Sequence, residues 1–163
     1  MEFVAGEDED QRLHRAYHRT FLNGVRWRNV ELPQLFMAAD RSYIVHVTLL
    51  SSPREWTKGF VCLGVNGNVK GCTIAEPISI AYEAVSTTEC SDNPSAAICG
   101  ISRIWVAAAD RRKGVATRLL DAVRHRFVLG CELARNALAF SQPTSAGRHL
   151  ARQYLGERYK VYR

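Results

Sequence analysis

Residues 99–117 read Cys99-Gly100-Ile101-Ser102-Arg103-Ile104-Trp105-Val106-Ala107-Ala108-Ala109-Asp110-Arg111-Arg112-Lys113-Gly114-Val115-Ala116-Thr117. This stretch changes character twice. Gly100 to Val106 is rich in β-branched and aromatic residues and predicts a short strand. Strict alternation would put Ile101, Arg103 and Trp105 on one face and Ser102, Ile104 and Val106 on the other. From Gly114 onward the apolar residues recur at helical spacing: Val115, Leu119, Val123 and Phe127, backed by Ala116 and Leu120. They predict an amphipathic helix with Gly130 as its stop. Between strand and helix lies a loop in which Arg111, Arg112 and Lys113 precede Gly114. The first amides of a helix have no intrahelical acceptor, and they sit at the positive end of its dipole. Cations and a backbone-exposing glycine at that point suit a pyrophosphate. The loop lacks both the Walker pattern and GxGxxG. Taken alone, Arg-x-x-Gly-x-Ala is equally the pattern of a basic turn before a helix.

Further toward the C-terminus the same alternation repeats. Leu138 to Ser141 predicts a short apolar strand. Pro143 and Thr144 then open a second helix, with Thr144 as N-cap, Ala146, Leu150, Ala151 and Tyr154 as its buried stripe, and Gly156 as its end. Tyr159 to Tyr162 predicts a last strand. Toward the N-terminus, Phe60–Val65 and Val69–Glu76 are apolar runs joined by Asn66-Gly67-Asn68, residues that tolerate the positive φ of a tight hairpin. Val25–Leu32, stopped by Pro33, and Tyr43–Leu50 predict two more strands, and Gln11–Asn23 a short helix. Thr87–Ala97, polar and containing Pro94, predicts a surface loop.

Composition bounds the function classes. The chain has 163 residues, 47% hydrophobic and 23% charged, which is ordinary for one globular domain and excludes a disordered chain. No apolar run reaches the ~20 residues of a membrane span. The acidic start (Glu2, Glu7, Asp8, Glu9, Asp10) is the opposite of a targeting leader. Five widely spaced cysteines with no CxxC pair predict reduced thiols and no four-thiolate zinc site. The net charge of +6 is uneven: residues 1–100 hold 9 basic and 12 acidic residues, whereas residues 101–163 hold 13 and 4. A basic C-terminal part suits an anionic partner. Stacking aromatics do not interleave its arginines and no nucleic-acid-binding module is recognisable, so direct nucleic-acid binding is not the expected activity.

With its flanks, the loop becomes specific. Arg111-x-x-Gly114-x-Ala116, after a strand and before an amphipathic helix, resembles the acetyl-CoA loop of the GNAT acetyltransferase superfamily. More narrowly, Pro94 to Val106, Ala139-Phe140-Ser141-Gln142-Pro143-Thr144 with Gly147, and Val69-Lys70-Gly71-Cys72-Thr73-Ile74-Ala75-Glu76-Pro77 resemble the sister-chromatid cohesion acetyltransferases, the Eco/ESCO family. The blocks fall in the family's order, and the resemblance runs from about Phe60 to Arg163.

The resemblance implies an α+β fold of the GNAT type, a mixed central sheet flanked by helices. It implies a domain over residues 25–163 and a short helical N-terminal extension over 1–24. It implies a lysine N-acetyltransferase that uses acetyl-CoA, acts in the nucleus on the ATPase head of cohesin, works among chromatin-associated factors, and establishes sister-chromatid cohesion. Carried over by position, the backbone of Ile104, Trp105 and Val106 would bond the pantetheine arm. Arg112, Lys113, Gly114, Val115, Ala116 and Thr117 would cradle the pyrophosphate, and Thr144, Ser145 and Ala146 would line the same cofactor. Trp105 is then a core anchor, a wall of the cofactor slot, or both.

For the chemistry, the family pairs a Ser with an Asp around the reacting centre. The Ser is Ser102 here, but the Asp position holds Gln142, which cannot take up a proton. Asp121 matches a carboxylate of the family's loop-following helix, although Arg118 and Arg124 three residues to either side equally make it part of an ion-pair cluster. Glu76, at the end of its strand, is a further carboxylate. Gln142 keeps an alternative open: a catalytically weakened acetyl-CoA-binding protein, or a GNAT enzyme with another protein substrate. His14 and His18 look like the second half of the family's Cys-Cys-His-His zinc finger without its cysteines. Two imidazoles alone do not close a tetrahedral zinc site, so no metal is expected.

Overall fold

The structure is a computed structural model. It describes residues 11, 12, 14, 15, 26, 27, 32–48, 57–86 and 89–163. The described residues form one nine-stranded mixed sheet, two complete α-helices and helical residues at 11, 12, 14 and 15. The strands are β1 (Gln34–Met37), β2 (Tyr43–Thr48), β3 (Lys58–Leu63), β4 (Val69–Pro77), β5 (Ile80–Ala84), β6 (Cys90–Ala96), β7 (Cys99–Val106), β8 (Leu138–Ser141) and β9 (Lys160–Tyr162). The helices are α1 (Val115–Arg126) and α2 (Ser145–Leu155). The spatial order is β1-β2-β3-β4-β7-β8-β9-β5-β6. β7, β8 and β9 run parallel, and the other neighbours pair antiparallel.

The parallel trio dictates where the helices lie. A right-handed crossover from β7 to β8 and a second from β8 to β9 step the same way across the sheet, so both helices cover the same face. Their buried side chains accordingly belong to one cluster. Val115, Leu119, Leu120 and Val123 of α1 and Ala151 and Tyr154 of α2 pack with Ile44, Phe60, Ala75, Ile101, Leu138 and Phe140. A smaller cluster of Val45, Val61, Leu63 and Val69 takes up Trp27 and Leu32. The expected hairpin is present: Gly67 adopts φ +74°, Gly67 N donates to Gly64 O, and Gly64 N donates to Asn68 O.

Three expectations are corrected, and two strands, β1 and β5, are added to those expected. Thr87–Ala97 is not simply a loop, because Cys90–Ala96 forms β6 against β5. β6 is the outermost strand, where Pro94 needs no ladder partner on its open side and polar side chains meet water. β1 begins directly after Pro33, and β5 carries no strong alternation in the sequence. α1 ends at Arg126 rather than at Gly130. Lys58 of β3 donates to the carbonyls of Arg126 and Phe127, at 3.3 and 2.7 Å, while Gly130 (φ +74°) serves the tight turn closed by Val128 and Cys131. In α2, Ala146 is exposed and Leu150 only half-buried, so the buried stripe rests on Ala151 and Tyr154.

The N-terminal expectations are met only in part by described residues. Gln11, Arg12, His14 and Arg15 are helical, and Arg26 forms a single antiparallel bridge to Asn68. The rest of the 11–23 helix, His18, most of 25–32, and residues 49–56 lie outside the described residues. Among the described residues no helix is long and apolar enough to cross a membrane.

Candidate active site

The site is built where β7 outruns its parallel neighbour. β8 pairs with β7 at Cys99, Gly100 and Ile101 and no further. From Ser102 to Val106, β7 bonds only to β4, through the pairs Arg103–Ile74, Ile104–Thr73, Trp105–Cys72 and Val106–Gly71. One backbone edge of Arg103 to Val106 is therefore open toward the splay between β7 and β8. This edge can pair with the amides of an extended ligand, as a strand added to a sheet does.

A bulge at Ser102 sets the faces. Ala75 pairs with Ile101 and Ile74 with Arg103, so Ser102 has no opposite number on β4. The extra residue resets the alternation. Ile101 therefore shares the helix-covered core with Ile104 and Val106, and Arg103 and Trp105 turn outward. This corrects the strict two-face pattern predicted for Ile101–Val106. It also removes Trp105 as a core anchor, since its side chain is 44% exposed beside the open edge. Ser102 Oγ donates to Ile74 O at 3.3 Å.

The loop after β7 is shaped by backbone conformation. Ala108–Asp110 makes a 3-10 turn, then Arg112 adopts φ +62° and Gly114 φ +75°. Two left-handed residues flanking Lys113 turn successive amides inward, as in an anion-binding nest. A Cβ on Gly114 would meet no atom within 4 Å. The glycine is thus required by its φ, and nothing in the protein itself demands the space. α1 has no side-chain cap; its first bond is Arg118 N to Gly114 O, so the amides of Val115, Ala116 and Thr117 have no acceptor earlier in the helix. Arg112 and Lys113 are exposed, whereas Arg111 folds back and its Nε donates to Val106 O at 3.3 Å. Val115 is buried and contributes backbone only.

The second helix start faces the same end of the sheet, because β7 and β8 are parallel. Thr144 is the N-cap, its Oγ1 accepting from Gly147 N at 3.2 Å, so this hydroxyl is committed to the helix. The amides of Ser145 and Ala146 have no acceptor within the helix, and both residues are exposed. Gln142 ends β8 in a left-handed conformation (φ +35°), exposed, one step beyond the last residue of the strand. Extending the β7–β8 register puts Ser102 level with Ser141 and Gln142 just past it. The structure thus gathers Ser102, Ile104–Val106, Arg112–Thr117, Gln142 and Ser145–Ala146 around one splay.

Asp121 lies elsewhere. It is seven residues along α1 from Gly114, about 10 Å at the helical rise. Its carboxylate accepts the phenol of Tyr154 and faces Arg124 at 3.8 Å, which ties α1 to α2. Burial and that carboxylate push the Tyr154 phenol up to about 12. Glu76 stands opposite Gly100 on β4 and accepts from Tyr162 Oη at 2.8 Å. The Tyr162 ring reaches it by lying directly over Gly100, where a Cβ would sit 2.5 Å from the ring. Tyr162 and Lys70 are site-supporting residues that the sequence does not single out. Lys70 lies within the Val69–Pro77 block, whose resemblance comes with no role attached. Among the described residues no group of His, Cys, Asp and Glu is placed to hold a metal.

Comparison with known proteins agrees with this geometry. The family described as ESCO1/2 acetyl-transferase matches residues 95–162. The mouse N-acetyltransferase ESCO2 is 34% identical over 191 residues, covering 94% of this chain and 32% of the relative. The chain therefore spans about a third of the length of the curated relatives it matches first. Among solved structures, the xEco2 acetyltransferase domain aligns at TM-score 0.74 with 30% identity, covering 83% of this chain and 98% of the other. The same domain bound to a K105-CoA conjugate aligns at TM-score 0.72 with 31% identity, covering 80% of this chain and 97% of the other. Likeness at this identity, over nearly the whole of a solved domain, places the chain in the Eco/ESCO family of acetyltransferases.

Proposed function

We propose that the protein is a lysine N-acetyltransferase that takes its acetyl group from acetyl-CoA. In this proposal it modifies the ATPase head of cohesin in the nucleus, among chromatin-associated factors, and thereby establishes sister-chromatid cohesion. One observation carries the reading: β7 runs on past β8, through the Ser102 bulge, into a loop with two left-handed residues and an uncapped helix start. An extended arm ending in a pyrophosphate fits this arrangement. The open β7 edge at Ile104–Val106 suits its amides. The nest at Arg112–Gly114 and the amides of Val115–Thr117 suit its anionic end. The relative whose structure holds a CoA conjugate supports the same ligand class.

Bound there, acetyl-CoA supplies an activated acetyl thioester. The residues of the chain have three tasks. Amides at the splay stabilise the negative charge that develops on the thioester oxygen. The open edge of β7 orients the arm. A group near Ser102 and Gln142 must also accept or relay a proton from the lysine ammonium, because only the neutral amine attacks. The Gln142 amide hydrogen-bonds but takes no proton. Glu76, opposite Gly100 and held by Tyr162, is the carboxylate proposed for this task. The direct test is incubation with acetyl-CoA and purified cohesin ATPase head, read as acetyl-lysine by mass spectrometry. Acetylation is expected, and Gly114→Glu abolishes it by adding strain and negative charge to the nest. Incorporation no higher than that of Gly114→Glu overturns the proposal.

The exposed, left-handed Gln142 favours a second reading, an acetyl-CoA-binding protein with weakened turnover. Gln142→Asp decides between them. Under this second reading it raises kcat by roughly 100-fold, the lower range for general-base catalysis, with little change in KM for acetyl-CoA. Under the first reading kcat changes little, and Glu76→Gln lowers it instead.

A further inference from the structure

The loop that the proposed function places on the pyrophosphate is held from below by one residue of β4, through its backbone and its side chain. Lys70 grips it twice. Its carbonyl accepts from Ala107 N at 2.9 Å, at the point where the chain leaves β7. Its ammonium lies 3.9 Å from the Asp110 carboxylate, in the 3-10 turn that leads to Arg112. The same ammonium makes a 2.8 Å bond to Asp40, in the β1–β2 connection. Asp40 in turn accepts from Ser42 N at 3.1 Å and Ser42 Oγ at 2.5 Å. Arg118, one turn into α1, faces the same pair, at 4.0 Å from Asp40 and 3.4 Å from Ser42 Oγ. The neighbouring Gly71 lets the helix seat here, since a Cβ would meet Trp105 O at 2.8 Å and Val115 Cγ1 at 3.0 Å. The Lys70-Gly71 dipeptide is therefore the floor on which both the loop and the first turn of α1 rest.

The charges explain why the floor residue is a lysine. Two carboxylates, Asp110 within the loop and Asp40 beneath it, accompany exposed groups that are shaped for an anion. Left uncompensated, they would oppose that anion. Lys70 sits between them, its ammonium 2.8 Å from Asp40 and 3.9 Å from Asp110, and offsets their charge.

We propose that Lys70 is a positioning residue for the pyrophosphate end of the cofactor. It holds the Ala107–Gly114 loop in its left-handed course and neutralises Asp110 within that loop and Asp40 beneath it, without itself touching the ligand. The inference rests on the cofactor assignment above and adds to it the element that sets affinity for the phosphates. The thioester and pantetheine lie along β7, away from the floor, and should not respond to Lys70.

Acetyl-pantetheine, which lacks the pyrophosphate and nucleotide, separates the two parts. With acetyl-CoA, Lys70→Met is expected to lower kcat/KM on the order of tenfold, almost wholly through KM, the size typical of a residue coupled to a site it does not contact. With acetyl-pantetheine, kcat/KM is expected to stay within about twofold of the parent. Lys70→Arg restores most of the loss, and Asp40→Asn in the Lys70→Met background restores part of it. An equal loss with both donors, or no loss with acetyl-CoA, overturns the inference. If Lys70→Met does not fold, Lys70→Gln, which removes the charge but keeps a polar end for Asp40, is measured in the same way and the same split between donors is required. Gly114→Glu keeps the two levels apart. If it leaves affinity for acetyl-CoA unchanged, the cofactor site itself is misplaced; if it abolishes affinity while Lys70→Met does not lower it, only the role of Lys70 fails.

Discussion

His46 shows how one side chain can make stability depend on pH. It lies in β2 opposite Phe60, with ring centroids 5.3 Å apart, and its buried Nε2 has no hydrogen-bond partner among the described residues. Burial first, and the positive charge of Lys58 second, lower its pKa below the ordinary value of 6.5. The unfolded chain takes up a proton near that value, whereas the folded protein resists it. Between the two values the unfolded state binds more protons, so stability falls as pH drops below about 6.5, until the folded pKa is passed. His46→Phe keeps a ring against Phe60 and removes the titration. Melting temperature followed from pH 7 down to about 5.5 is expected to fall less steeply for His46→Phe than for the parent. Parallel curves would show that His46 does not carry the effect. Gly100 is the second residue of consequence, because only its missing side chain lets Tyr162 cross β7 to reach Glu76.

At the scale of elements, α1 is held at both ends by β-strands that are distant in sequence. Its first turn lies on Gly71 of β4. Its last carbonyls, of Arg126 and Phe127, accept from Lys58 of β3, whose ammonium also stands 5.8 Å from the centre of the Phe127 ring. A cation at a helix C-terminus opposes the negative end of the dipole and satisfies carbonyls that lack intrahelical donors. Lys58→Met is expected to cost about 1 kcal/mol, which for a domain of this size lowers the melting temperature by roughly 2–4 °C. Calorimetry of the purified variant checks it; an unchanged midpoint would mean that the bond contributes nothing net. The helix itself is legible in the sequence, since Val115, Leu119, Val123 and Phe127 keep their period. Its end is not, because the capping group comes from β3, 68 residues before Arg126.

The whole molecule couples these elements through one sheet. Strands far apart in sequence converge on the β7–β8 splay: β4 beside β7, β9 beside β8, and β5 with β6 beyond. A ligand seated in the splay contacts the folded state alone and therefore stabilises it by linkage. With acetyl-CoA at about 100 times its dissociation constant, the gain is ~2.7 kcal/mol, or roughly 5–10 °C in melting temperature. Thermal denaturation with and without acetyl-CoA tests this. Gly114→Glu is expected to lose the shift, and an unliganded midpoint in both cases would contradict the cofactor assignment. The net charge of +6 takes its place in the same picture. Arg112 and Lys113 stand at the nest, Arg111 is turned back onto β7, and Arg118 and Arg124 are engaged with carboxylates on the flanks of α1.

What the sequence by itself determined is local. The two helices, the strand before each, the Asn66-Gly67-Asn68 hairpin, the Thr144 cap and the cationic loop all follow from periodicity and turn chemistry within a few residues of one another. The three blocks in family order carried the fold with them. What only the tertiary structure decided is register and reach. The bulge at Ser102 reverses which residues of β7 face the core, and no local pattern records it because it exists only in the pairing with β4. Pro94 lies in a strand because that strand is an edge. Asp121 is drawn to Tyr154, and Lys70 to Asp40 and Asp110, by partners that chain topology alone brings within reach.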